Sequence, residues 1–470
     1  MTLSRRTVLT GIAASAFSGT LPVPAAFASR TGVKHITAKP GHAMLLEPGE
    51  PETPIWGYDG LVPGPEIRTL QGAQFNADLL NALPQPTTIH WHGIRIDNAM
   101  DGVAGLTQDA VAPGGAFPYR FTPPDAGTFW YHPHNRTWEQ LARGLYGAFI
   151  VEEENPPRVD RDHVLIFDDW RIGEDGKIHE ASLGSFHDRS HAGRLGNILT
   201  LNGAHTHDVP VMAGERLRLR LLNASTARVL AIAFPGHSAT VIALDGQPVT
   251  PFPLPTDGIR LAPAQRTDVI LDATGDVGGK TPIEVNTGRE KLVAGHVVYD
   301  AAKRIRRASL TDSIALAPNP MPTTLRNEPD TLVELDMTGG ARSWFESATY
   351  RGKTYDVRTL AREHGKMWAF NGIAGKPDKP LARFDLGQTV HIKIINRTAW
   401  PHAMHFHGYH VREVAHSARA PLPHWRDTVY VAREETVTVG FHTHNPGKWM
   451  LHCHMLAHQA GGMATWYEVG

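Results

Sequence analysis

The 470-residue chain holds one cysteine and 27 histidines. The sole thiol sits in His452-Cys453-His454. Successive side chains of an extended strand point to opposite faces, so the two imidazoles share one face and the thiolate takes the other. One strand can then touch two metal sites through adjacent residues. His458 and Met463 follow on a short segment beside Gly461-Gly462, and His402 lies upstream. Two imidazoles, a thiolate and a weak thioether are the donors of a trigonal copper site that passes single electrons. The bland alternatives are a buried small apolar residue for Cys453 and core packing for Met463. The flanking histidines argue against the first of these.

Three more His-x-His pairs accompany that tripeptide: His90-Trp91-His92, His132-Pro133-His134 and His405-Phe406-His407. On a strand the paired Cα atoms lie about 6.6 Å apart on one face, which lets a single strand serve two neighbouring metals. Eight imidazoles suit a cluster of three copper ions. A lone His-x-His would be weak, and His205-x-His207 and His442-x-His444 are expected to be incidental. Zinc fits poorly, because a solitary cysteine without a Cys-x-x-Cys partner does not suit a structural zinc site.

A repeat positions these groups. Gly72 to Asn81, Gly214 to Asn223 and Gly387 to Asn396 each run from a glycine, nine steps, to an asparagine. The intervening residues alternate, most clearly Leu217, Leu219 and Leu221 against Arg216, Arg218 and Arg220, as in a half-buried strand. Three copies at near-domain spacing imply three consecutive β-sandwich domains, an all-β architecture that 45 Gly and 35 Pro also favour. Boundaries fall near Pro156-Pro157 and in the Pro-rich stretch from Pro318 to Pro329, giving domains over residues 29–155, 156–317 and 318–470. Nine residues past the asparagine come His90 and His405 in the outer copies but Ile232 in the middle one. The outer domains therefore offer matching ligand strands to a shared interface, and the middle domain has none.

A formal net charge of -1 gives no basic field for nucleic acid or an anionic membrane. Residues 1–28 read as an export signal: Ser4-Arg5-Arg6-Thr7-Val8-Leu9, a Gly/Ala/Ser-rich apolar run, then the cleavage pattern Ala26-Phe27-Ala28. Small residues with Pro22 and Pro24 argue against a membrane anchor. The paired arginines imply the twin-arginine translocase as a transient partner and a bacterial periplasm as destination, with no membrane insertion after signal removal.

From Gly64-Pro65 to Met463, nearly the whole mature chain resembles the three-domain form of the multicopper oxidase family, the group of laccases, bacterial cuprous oxidases and bilirubin oxidases. The resemblance rests on His90-Trp91-His92-Gly93, Trp130-Tyr131-His132-Pro133-His134, His402-Ala403-Met404-His405-Phe406-His407-Gly408 and the run from His452 through His458 to Met463. It implies cupredoxin-like Greek-key domains and four copper ions. By the resemblance, His402, Cys453, His458 and Met463 bind the type 1 copper, and His90 with His405 bind the type 2 copper. The type 3 pair is assigned to His92, His132 and His454 on one ion and to His134, His407 and His452 on the other. His452, Cys453 and His454 then form the electron path. Asp101 matches an acid that the family places near its type 2 copper; its alternative is a turn aspartate before Gly102. Bacterial relatives usually carry an acid after the second type 1 histidine, where this chain has Gln459. A glutamine orients water but supplies no proton. Trp425-Arg426-Asp427-Thr428-Val429 resembles a segment folded beside the type 1 site, where Asp427 orients an exposed imidazole or a substrate hydroxyl, or else caps a strand turn.

The implied reaction couples four one-electron oxidations of a reductant to reduction of dioxygen to water. No methionine cluster, which would suit soft Cu(I), occurs between Pro380 and His402 or from Ala418 to Trp425. A phenol or aromatic amine is therefore the expected reductant. The alternatives are oxidation of Cu(I), Fe(II) or Mn(II) in copper tolerance and a non-catalytic copper-binding scaffold.

Overall fold

Each copy of the Gly-to-Asn repeat is a strand, and all three strands make the same connections. Phe75–Asn81, Arg216–Asn223 and Thr389–Asn396 run parallel to the strand that opens their part of the chain, namely Lys34–Ala43, Arg161–Trp170 and Thr331–Gly339. Each pairs antiparallel on its other edge, with Ala116–Phe121, Arg266–Asp272 and Thr436–His442 respectively. The computed structural model describes residues 32–470 apart from 323, 324 and 344, so the expected export signal, residues 1–28, lies outside the described residues.

The repeated asparagine has one structural job in all three places. The side-chain oxygen of Asn81, Asn223 and Asn396 accepts the main-chain N–H two residues on, at 2.9, 3.0 and 2.9 Å. Each amide nitrogen donates to two main-chain carbonyls across the turn. This Asx turn ends the strand and satisfies buried polar groups that water cannot reach. In the third copy the acceptors are the carbonyls of Trp400 and Ala432, so the turn fixes the segment leading into His402.

A second sheet faces each repeat-bearing sheet. In the first sandwich it is ordered Gly64–Leu70, Gly147–Glu152, Gly127–His132, His90–His92. In the third it is ordered Arg383–Phe384, Ala464–Val469, Gly447–Cys453, His402–Phe406, Thr428–Val431. The middle sandwich pairs a six-stranded and a five-stranded sheet, and its core includes Leu217, Leu219 and Leu221, fully buried. Each such leucine stabilises the fold by about 1.5–3 kcal/mol relative to exposure.

The alternation in that strand leads to a correction. The expectation of a half-buried strand fails because the arginine face is buried too: Arg218 is 1% and Arg220 0% exposed. They lie against the first sandwich, where Arg218 bonds Glu153 and Arg220 the Thr128 hydroxyl, while Asp268 and Asp162 on neighbouring strands of their own sheet pair with Arg218 and Arg220. Charges buried in this way persist because each is paired and hydrogen-bonded. A further apolar cluster with Trp130, Tyr146, Trp170 and Leu222 joins the same two sandwiches. Among the described residues no helix is long and apolar enough to cross a membrane.

Candidate metal centre

Strand register builds the site. His90 and His92 lie opposite His132 and Trp130 in one sheet, and His405 lies opposite His452 in another. The two sheets bring eight imidazoles together, each between 0 and 6% exposed. Their closest nitrogen contacts are His90 Nε2 to His405 Nε2 at 3.4 Å, and His132 Nε2 to His92 Nδ1 at 3.3 Å and to His454 Nε2 at 3.4 Å. His452 Nε2 likewise faces His134 Nε2 at 3.3 Å and His407 Nε2 at 3.2 Å. A second cluster lies one residue along the same strand. Cys453 Sγ stands 3.6 Å from His402 Nδ1 and 3.9 Å from His458 Nδ1, which are 3.2 Å apart. Met463 is buried in the same apolar core as Cys453, accepts its main-chain N–H at 3.1 Å and donates its own to the His458 carbonyl.

The outer nitrogens show what the inner ones must do. His90 Nδ1 donates to the Asp101 carbonyl at 2.8 Å and His405 Nδ1 to the Asp427 carbonyl at 3.0 Å. His132 and His452 donate Nδ1 protons to the carbonyls of Pro133 and Cys453, and His407 donates to the Asp101 carboxylate at 2.9 Å. In a neutral ring with its proton on Nδ1, Nε2 carries a lone pair. Lone pairs therefore face lone pairs between His90 and His405 at 3.4 Å and between His407 and His452 at 3.2 Å, a repulsive arrangement that bound cations relieve. Burial holds His92, His132, His134, His402, His407, His452 and His454 well below the ordinary imidazole range, and lowers His458 to about 4. Protons therefore cannot substitute for the cations. Burial also pushes the Cys453 thiol up to about 12, so a soft metal is needed to hold it as thiolate. Fully buried, oriented N and S donors fit copper.

Two aspartates position the rings, one from each outer sandwich. Asp101 and Asp427 each present a carbonyl to the first histidine of their own His-x-His-Gly motif and a carboxylate to the second histidine of the other. Asp427 Oδ1 accepts from His92 Nε2 at 3.1 Å, which turns that one ring so that Nδ1 faces inward. The expectation for Asp427 is thereby corrected. It touches no exposed imidazole and no surface where a substrate hydroxyl could bind, because its segment crosses beneath the eight-histidine cluster. Burial would raise its carboxyl, but Arg266 and His92 hold it well below the usual carboxylate range. Asp101 is also the turn residue before Gly102, as its alternative reading has it.

The glycines ending the two motifs have a steric cause. A Cβ on Gly93 would meet Asp427 Oδ2 at 2.4 Å and Arg266 Nη2 at 2.5 Å, and one on Gly408 would enter the Trp449 ring. Both have positive φ, +86° and +69°. Arg266 itself, from the middle sandwich, escaped the sequence reading because no spacing rule links it to Asp427; its Nη2 lies 2.7 Å from Oδ2. Thr398, which accepts from His402 Nε2 at 2.8 Å, was recoverable from its place two residues after Asn396. Gln459 lies on the short helix Leu456–Ala460, with no side-chain hydrogen bond among the described residues. The pairs His205/His207 and His442/His444 join no metal-competent group among the described residues; His444 instead bonds Arg95.

Three multicopper oxidase profiles match the chain, over residues 42–156, 129–291 and 350–470. A multicopper oxidase of Mycobacterium tuberculosis is 31% identical, over 93% of this chain and 86% of that one. Laccase-1 of Fomitopsis schrenkii is 30% identical, over 86% and 81%. The crystal structure of a multi-copper oxidase from Pseudomonas thermotolerans superposes with a TM-score of 0.78 at 29% identity, over 93% of this chain and 99% of that one. The chain belongs to the multicopper oxidase family: it is a copper-dependent oxidoreductase built of cupredoxin-like β-sandwiches.

Proposed function

We propose that the chain holds four copper ions and couples four one-electron oxidations of a phenol or aromatic amine to the reduction of one dioxygen to two waters. His402, Cys453 and His458, with Met463 as weak fourth donor, are assigned the type 1 ion, and His90 with His405 the type 2 ion. His92, His132 and His454 take one type 3 ion, and His134, His407 and His452 take the other. The observation that carries this reading is the sorting of the inward nitrogens into these same groups at 3.2–3.4 Å.

Bound copper supplies the one-electron redox chemistry and the place where oxygen is reduced. The residues do the rest. Cys453 ends the strand that carries His452 and is followed directly by His454, so covalent bonds already join the two sites. Burial of all ten imidazoles keeps bulk water from the cluster. Asp101, next to both His90 and His407, is the acid assigned to proton delivery, since Gln459 has no proton to give. The N-terminal pattern supports twin-arginine export to the periplasm, which Arg5→Lys/Arg6→Lys should block.

Copper analysis, absorption and oxygen uptake test the reading together. Copper-loaded protein should contain four ions per chain, be blue and consume oxygen with 2,6-dimethoxyphenol. Cys453→Ser should lose the colour and the turnover while keeping the fold. Oxygen uptake with Cu(I), Fe(II) or Mn(II) but not with the phenol would overturn the choice of substrate. A colourless protein after copper addition would sink the oxidase reading itself.

A further inference from the structure

The type 1 imidazole nearest the surface is covered by another domain. His458 is fully buried, and its Nε2, the nitrogen turned away from Cys453, donates to the main-chain carbonyl of His191 at 2.6 Å. His191 follows the short helix Phe186–Ser190 of the middle sandwich. That segment is pinned on both sides. The Ser190 carbonyl accepts from Ala341 N–H at 2.6 Å, and the Arg189 carbonyl accepts from the Trp368 indole. Trp368 in turn packs on His458 and His402, with ring centroids 4.5 and 5.2 Å apart. A reductant therefore cannot hydrogen-bond to His458; it meets only what lies outside the His191 peptide.

An aromatic and cationic surface lies there. The His191 ring is edge-on to Trp400 at 5.7 Å and stacked on the exposed His187 at 4.1 Å. The Arg342 guanidinium sits over the Trp400 ring at 5.9 Å. Lys366 donates to the Ala460 carbonyl at 2.7 Å, two residues past His458. Burial, with Arg189 and Arg351 beside it, lowers its ammonium to about 8. Among the described residues no carboxylate pairs with Arg189, Arg342 or Lys366 within 4.0 Å; Asp188, the acid of the covering segment, is bonded by Arg171, with His187 Nδ1 3.7 Å from its Oδ1. Uncompensated cations around aromatic faces attract organic anions and repel metal cations.

We propose that His187, His191 and Trp400, with the Arg342 guanidinium over the Trp400 ring, form the docking site for the reductant. The preferred donor is an anionic aryl compound, a phenol or aromatic amine carrying a carboxylate or sulfonate, and its electron reaches His458 through the His191 peptide. This rests on the aryl-oxidase reading and sharpens it. Each phenol docked gives up one electron and its phenolic proton and leaves as a phenoxyl radical; four such electrons and four protons convert one dioxygen to two waters.

Two readouts test the site on the copper-loaded enzyme. Calorimetry with redox-inert naphthalene-1-sulfonate and its neutral sulfonamide measures docking without turnover. The sulfonate should bind about tenfold more tightly, and added salt should erase the difference. Kinetics with 4-hydroxy-3,5-dimethoxybenzoate and 2,6-dimethoxyphenol should show kcat/KM falling with salt for the anion alone. In Arg342→Glu the anion-to-neutral ratio of kcat/KM should fall about tenfold with the blue band intact. Equal binding of the two naphthalenes, or a salt response shared by both phenols, would overturn the docking site. The salt series needs no variant, so a misfolded Arg342→Glu would not rescue the proposal. Absence of turnover with either phenol, with the sulfonate still bound selectively, would instead defeat the aryl-oxidase reading.

Discussion

Asp101 and Asp427 each act through two atoms, and the two atoms have different consequences. The carbonyl serves a ring from the same sandwich, so any residue could supply it. The carboxylate reaches a ring from the other sandwich, and only an acid supplies that. Asp101→Ala should therefore leave the type 1 colour intact while lowering oxygen turnover about 10–100-fold, because the ring of His407 loses its anchor. Parallel absorption and oxygen-uptake measurements separate the two effects. Asp427→Ala should also cost stability, since it takes from the buried Arg266 its nearer carboxylate and leaves Asp245 at 3.7 Å. We expect a loss of about 3–5 kcal/mol by denaturant unfolding of the copper-free protein, with part of it regained in Asp427→Ala/Arg266→Met.

At the scale of elements, the strand-ending asparagine isolates position from local energy. Asn223 and Asn396 make the same turn with the same bonds, but only the second leads to a metal ligand, His402. Replacing either by alanine removes comparable buried hydrogen bonds and should cost about 1–3 kcal/mol. Only Asn396→Ala should also weaken the blue absorption or shift the type 1 potential, because the turn that holds Thr398 under His402 relaxes. Equal effects of the two variants on colour would show that the turn does not position His402. The repeat and its asparagines were legible in the sequence because the turn is local. The buried arginine face of Arg216–Asn223 was not, since its partners Glu153, Asp162 and Asp268 come from distant segments.

For the whole molecule, the eight-histidine cluster ties two sandwiches together through groups that must stay neutral. An unfolded histidine takes up a proton near pH 6.5, whereas burial holds His92, His132, His134, His405, His407, His452 and His454 lower, and His458 of the neighbouring site at about 4. The unfolded chain therefore binds more protons as pH falls, and stability present above pH 6.5 is lost between there and about pH 4. Each such histidine adds up to about 1.4 kcal/mol per pH unit. The copper-free protein should show a steep fall of its urea midpoint over this window. Copper should raise the whole curve without flattening it, because bound metal keeps the same nitrogens unprotonated in the folded chain while the unfolded histidines still take up protons. A pH-independent midpoint for the copper-free protein would contradict the burial of these rings.

The sequence by itself determined which residues stand as candidate ligands, because metal chemistry restricts them to few residue types and the repeat picks out eight of the 27 histidines, with His402 and His458 added by their places around Cys453. It also determined the all-β class, since alternation and turn residues are local signals. Three things were decided only by tertiary structure. Asp427 was placed against His92 and Arg266 rather than at a surface, His458 was covered by the carbonyl of His191, and the Arg342 guanidinium was set over Trp400. The physical reason is common to all three. A ligand is defined by what its own atoms can bind, whereas an orienting carboxylate or a covering peptide is defined by what a different sandwich brings within 3 Å, and that depends on how the domains pack.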